Sequence, residues 1–257
     1  MIDLKDIHFH YNGKPVFSGL NLHIANGEKT VIVGVNGSGK STLLKIMDGL
    51  LFPQKGTLHF NNLHITQNSL KDRKFQKEFR KSVVLLFQNP DTMLFNPTVY
   101  DEIAFSLRHL GMDCIDERVR YWAEKCNVIH LLDTPPFNLS GGEKKKVCLA
   151  SILAVEPKVL LLDEPTSNLD PPTIGWLVEL LDELNITTVI ATHNLSLAPE
   201  LGQRCIVLSR EHSIIADDSV ESIMNNHELL LKAELVHIHK HKHGKIVHAH
   251  FHIHDWD

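Results

Sequence analysis

The stretch Gly34-Val-Asn-Gly-Ser-Gly-Lys-Ser41 spaces its residues as G-x-x-x-x-G-K-S. That spacing lets a tight turn aim successive backbone N–H groups at phosphate oxygens, at the N-terminus of a helix. Asn36, Gly37, Ser38, Gly39, Lys40, Ser41 and Thr42 then form the cradle, with Lys40 reaching the outer phosphates and the Ser41 hydroxyl offered to Mg²⁺. A second stretch, KVLLLDEP, ends an apolar run at Asp163-Glu164. Asp163 suits the surroundings of the same Mg²⁺, and Glu164 is placed to orient and deprotonate an attacking water. A third, Ser140-Gly141-Gly142-Glu143, is a capping box, in which a serine caps a helix whose third residue reaches back with a carboxylate.

The elements that must hold these residues are legible around them. The β-branched run Thr30–Val33 leads into the first turn, and Leu43, Leu44 and Met47 lead out at helical spacing, the strand–turn–helix context that the motif requires. Val159–Leu162 is continuously apolar, as a strand buried on both faces would be. SVVLLF precedes Gln88, and TTVIATHN brings a β-branched strand to His193. Between the two halves, Pro97-Thr98 reads as a stop followed by a capped helix, with helical patterns over 99–110 and 116–126.

The composition frames this chemistry. A chain of 257 residues can bury a full core, and its 43% apolar and 22% charged content is ordinary for a globular protein. A net charge of −5 gives no basic field for nucleic acid. Cys114, Cys126, Cys148 and Cys205 are scattered without a C-x-x-C pair, which suits reduced thiols in a cytoplasmic protein. The N-terminus lacks the basic and apolar regions of a signal peptide, and Val83–Phe87 is too short to span a bilayer. Work at a membrane would need an anchoring partner.

The three motifs in this order make the chain resemble an ATP-binding-cassette (ABC) ATPase over about residues 1–225. The resemblance implies an α/β P-loop NTPase core with a small antiparallel β subdomain and an inserted helical lobe at about 90–138. It further implies that Tyr11 stacks on adenine, that Gln88 contacts Mg²⁺ and the attacking water, and that His193 contacts the γ-phosphate. Ser140, Gly141 and Gly142 would serve ATP held by a second ATPase subunit, in a head-to-tail dimer with Asp170 at the interface. Locally, Asp170 is also a candidate N-cap before Pro171 and Pro172. Glu143 stands where the family usually has Gln, and Lys146 where many members have Arg. The segment FQNPDTMLFNPTVYDEIAFSL is similar to the energy-coupling-factor importers, where it grips the coupling helices of an integral membrane subunit. Two-domain translation factors and coiled-coil DNA-repair relatives are excluded by architecture. A vitamin importer of the same type and an iron–sulfur assembly ATPase remain as alternatives. The expected setting is peripheral, at the cytoplasmic face of the cell membrane.

The ATPase domain is expected to run over 1–218 and a C-terminal extension over 219–257, beginning with helical SVESIMNNHELLLKAELV. Within the extension, histidines alternate over 236–254, and period-two alternation predicts strands. Gly244-Lys245 suits a type II′ turn, which would set His237 against His252, His239 against His250 and His241 against His248. Such a face could bind Ni²⁺, Co²⁺ or Zn²⁺, could be a solvated polar surface, or could sense pH. The metal reading favours nickel or cobalt as cargo.

Overall fold

The computed structural model describes residues 1–243 and 246–253, with side chains through residue 236. Strands β1 (Ile2–Tyr11) and β2 (Lys14–Ile24) form a hairpin, β3 (Lys29–Val33) leads into helix α1 (Lys40–Met47), and β4 (Lys55–Phe60) and β5 (Leu63–Ile65) follow. Then come α2 (Arg73–Ser82), β6 (Val83–Leu86), α3 (Val99–Leu110), α4 (Ile115–Lys125), α5 (Gly141–Leu153) and β7 (Val159–Asp163). The chain continues through α6 (Pro171–Glu183), β8 (Thr187–Thr192), α7 (Ala198–Leu201), β9 (Arg204–Leu208) and β10 (Ile214–Ser219), to α8 (Val220–Asn225), α9 (His227–Lys232), β11 (Val236–His243) and β12 (Ile246–Ile253).

Two sheets carry the body. The six-stranded sheet has the order β10-β9-β3-β8-β7-β6, parallel throughout except for β10 at its edge. Every residue of β6, β7 and β8 is buried, as strands covered on both faces require. The smaller sheet, β2-β1-β4-β5, is antiparallel. Its β1 bulges after Leu4, where Asp6 adopts a φ of 51°. Gly56 crosses there, and a Cβ on it would run into the Asp6 carbonyl, so glycine alone fits.

One apolar core lies between the two sheets and around α1, built from residues such as Ile7, Phe17, Ile32 and Leu43. The other packs α3 to α6 against the far face of the large sheet. Val220, Ile223, Leu230, Leu235 and Val236 belong to this second core, so the first part of the C-terminal extension is packed into the body. The expected single helix there is two short ones, because Asn226 leaves helical geometry and instead caps α9 by accepting from Leu229 N.

The final hairpin pairs His237 with His252, His239 with His250 and His241 with His248, the register expected for a two-residue turn at Gly244-Lys245. Its turn at Gly244-Lys245 lies outside the described residues. Among the described residues no helix is long and apolar enough to cross a membrane. Phe95, Phe105 and Phe137, all in the segment between β6 and β7, are exposed, Phe137 by 79%.

Candidate functional site

The loop after β3 closes on itself through Ser38 N donating to Val35 O, and Gly37 and Gly39 take φ values of 83° and 103°. The loop is backed by β9: a Cβ on Gly34 would sit 2.7 Å from Leu208 O and 2.6 Å from Ser38 Oγ. No side chain caps α1, which leaves the N–H groups of its first turn facing out of the loop. Ser38 Oγ is buried without a partner. An uncapped helix start and an orphaned hydroxyl beside an ammonium together fit a phosphate chain.

Lys40 is buried, and its Nζ donates to Gly34 O at 2.7 Å and to Val35 O at 3.3 Å. Nζ also lies 3.6 Å from Glu164 Oε1. Burial holds the Lys40 pKa below the ordinary lysine value, and the charges of Glu164 and Asp163 oppose that shift. Ser41 Oγ donates to Asp163 Oδ1 at 2.9 Å, which brings the two candidate Mg²⁺ oxygens together from separate elements. Burial raises the Asp163 pKa, partly offset by that bond. A hydroxyl, a carboxylate and the nearby Gln88 amide oxygen form a hard-oxygen set suited to Mg²⁺.

Glu164 follows β7 at a φ of 47°, a left-handed conformation for a buried non-glycine residue. Three contacts hold its backbone: its N–H donates to Ala191 O, and its carbonyl accepts from Lys145 Nζ and Ser167 Oγ. Its Oε2 accepts from Thr192 Oγ1 at 3.2 Å and His193 N at 3.3 Å. His193 Nδ1 lies 2.9 Å from the same oxygen, yet its ring N–H is not aligned to bond it.

Tyr11, Asn36, Gly37, Gly39, Lys40, Ser41, Thr42, Gln88 and Glu164 line one pocket of about 470 Å³. Tyr11 stands at its mouth, edge-on to Phe9 and 3.5 Å from Thr42 Oγ1. Asp163 and His193 stand behind, on Ser41 and Glu164. Ser140, Gly141 and Gly142 are not brought to this pocket. The capping box is formed, with Ser140 N and Oγ both donating to Glu143 Oε2, and Ser140 and Gly141 are exposed. Asp170 occupies the N-cap position of α6, but its side chain caps nothing. Pro171 and Pro172 have already removed the first two N–H donors of that helix.

Two residues at the site are not apparent from the motifs. Lys145 is 3% exposed and ties α5 to the turn after β7, donating to Glu164 O and Ser167 O at 3.2 Å each. Helical spacing does not single it out, since Lys144 and Lys146 also stand one turn from buried residues, Val147 and Cys148 for the one and Leu149 and Ala150 for the other. His212 also lines the pocket, at the tip of a turn in which its N–H donates to Ser209 O, with a φ of 63° and its Nδ1 buried without a partner. No motif marks it.

A family model described as ABC transporter matches residues 17–167. The chain belongs to the ABC transporter family. It is 44% identical to a Methanosarcina acetivorans protein named as an ABC transporter ATP-binding protein, over 95% of this chain and 92% of that one. It is 36% identical to the energy-coupling factor transporter ATP-binding protein EcfA of Methanothermobacter thermautotrophicus, over 91% of this chain and 76% of the relative. The structure of CbiO1 from Clostridium perfringens, part of the ABC transporter complex CbiONQ, superposes with a TM-score of 0.76 at 34% identity, covering 91% of this chain and 94% of that one. A dimeric cassette in a post-hydrolysis state with ADP and phosphate also superposes at 0.76, with 27% identity, covering 86% of this chain and 99% of that one. This ABC ATPase binds and hydrolyses ATP, and ABC ATPases work as dimers with membrane components.

Proposed function

We propose that the chain is the ATP-hydrolysing subunit of an energy-coupling-factor importer, bound peripherally beneath an integral membrane subunit at the cytoplasmic face. The observation that carries this reading is the convergence on one pocket of buried Lys40, the Ser41–Asp163 bond and the clamped carboxylate of Glu164. Tyr11 stacks on adenine, residues 36–42 hold the phosphates, and Glu164 takes a proton from the attacking water. Mg²⁺, held by Ser41, Gln88 and Asp163, supplies charge neutralisation at the phosphate oxygens when bound. His193 reaches the γ-phosphate from beside Glu164. The Ser140–Gly142 turn, with Ser140 and Gly141 exposed, serves the nucleotide of the opposite subunit, so two chains pair head to tail. The ATPase domain is taken as 1–218, with its helical lobe at about 90–138, and the extension as 219–257.

A groove of about 440 Å³ borders the segment after Gln88, lined among others by Arg80, Phe87, Phe105, Leu110 and Ile152. It supports docking of the membrane subunit there, as do the similarities to EcfA and CbiO1. The cargo is a transition-metal cation, nickel or cobalt, because a histidine-rich extension has a physical use in a metal system and no obvious one in vitamin uptake, which stays the alternative.

Replacing Glu164 with Gln tests the chemistry. Removal of a general base costs about 10²–10⁴-fold in rate, so turnover should fall by that factor while ATP binding, measured by calorimetry, persists. Wild-type turnover in the variant would overturn the assignment.

A further inference from the structure

Six histidines of β11 and β12 are cross-strand partners in three consecutive alternate pairs: His237/His252, His239/His250 and His241/His248. We propose that this hairpin is a binding site for a divalent late-transition-metal ion. The inference goes beyond the ATPase reading and does not rest on it, since such a site could hold or buffer metal whatever the cargo.

The backbone register carries the argument. In an antiparallel ladder, positions two apart belong to the same pairing class, so the three histidine pairs share one cross-strand spacing. Opposed residues have Cβ atoms ~5 Å apart, and the next pair stands ~7 Å along the strand. Two adjacent pairs therefore place four imidazole-bearing positions within a patch ~5 by ~7 Å, the scale on which four nitrogens can share one ion. The chemistry of the set is equally restricted. From Val236 to Ile253 there is no Asp, Glu or Cys. An all-imidazole set suits Ni²⁺, Co²⁺, Cu²⁺ and Zn²⁺ and disfavours Mg²⁺ and Ca²⁺, which take oxygen ligands. Lys240 and Lys242 fall at the intervening register positions, opposite Ala249 and Val247, outside the histidine series.

The hairpin also has a fixed root. Leu235 and Val236 are each 5% exposed and belong to the main core, and Leu235 N donates to Leu230 O. The ladder therefore starts from packed chain. Among the residues with described side chains, no group of three or more His, Cys, Asp or Glu has a metal-holding arrangement. The histidine pattern of the hairpin answers to such an ion.

The test is a calorimetric titration of NiCl₂, CoCl₂ and ZnCl₂ into the full chain without nucleotide, so that its outcome is independent of hydrolysis. It is repeated on His237→Gln/His239→Gln/His241→Gln, which removes the three β11 histidines that face a histidine and leaves His243, His248, His250 and His252. Binding should be micromolar or tighter in the parent chain and at least tenfold weaker in the variant, because no cross-strand pair survives. It should also weaken as pH falls through about 6.5, where protons compete for imidazole. Circular dichroism shows whether the variant keeps the parent's fold. Absence of binding below millimolar metal in the parent chain, or equal affinity in parent and variant, would overturn the proposal.

Discussion

At the scale of single residues, Glu164 shows how a strained position is retained. A left-handed glutamate costs of order 1–3 kcal/mol, and the bonds from Lys145 and Ser167 to its carbonyl hold it there. Lys145 is thus a positioning residue for the base. Lys145→Met keeps the volume and leaves the Ser167 carbonyl without its lysine partner, while Glu164 O keeps its bond from Ser167 Oγ, a loss of about 1–3 kcal/mol. Urea denaturation should show that loss, and kcat should fall with little change in ATP affinity. His212 belongs to a different argument, since its buried Nδ1 has no partner and its side chain lines the nucleotide pocket. His212→Asn tolerates the positive φ and withdraws the ring. ATP affinity should drop about tenfold, the equivalent of one hydrogen bond to a charged group, with an unchanged unfolding midpoint. An unchanged Kd would show that His212 does not reach the nucleotide.

At the scale of elements, the start of α5 depends on its reciprocal cap. Glu143→Gln should preserve stability because an amide oxygen can also accept from Ser140 N, whereas Glu143→Ala should cost about 0.5–2 kcal/mol. A thermal unfolding series distinguishes the two. This cap was legible in the sequence because it is local: four residues supply both partners. The phosphate loop, the strand ending at Asp163 and the hairpin register were legible for the same reason, since spacing and alternation encode them directly. His212 was not. It reaches the pocket because β9 pairs in parallel with β3, so the turn after β9 leaves the sheet at the same strand ends as the phosphate loop. That is a fact of sheet order, which no local pattern records. The break at Asn226 also depended on a neighbour, a competing cap on the next helix.

At the scale of the molecule, Arg204 joins the two sheets. Its guanidinium donates to Asp217 through Nε and Nη2 at 2.6 Å each, and through Nη1 to His23 O at 2.8 Å and Glu28 Oε1 at 2.7 Å. Burial alone would raise the Glu28 pKa, but the bonds from Arg204, Ala25 N and Thr30 outweigh it and leave the pKa below the ordinary value. A depressed folded-state pKa means stability that is complete above the unfolded value of about 4.3 and is lost as pH falls through the lower folded value. Unfolding free energy should therefore decline on acidification below about pH 4.3, and Glu28→Gln should flatten part of that decline. An identical pH profile in the variant would remove Glu28 from the account. The exposed rings of Phe95, Phe105 and Phe137 carry a different consequence. Apolar patches that water should not see are also sites of aggregation. Left uncovered at high protein concentration, such rings would favour contact between copies of the chain.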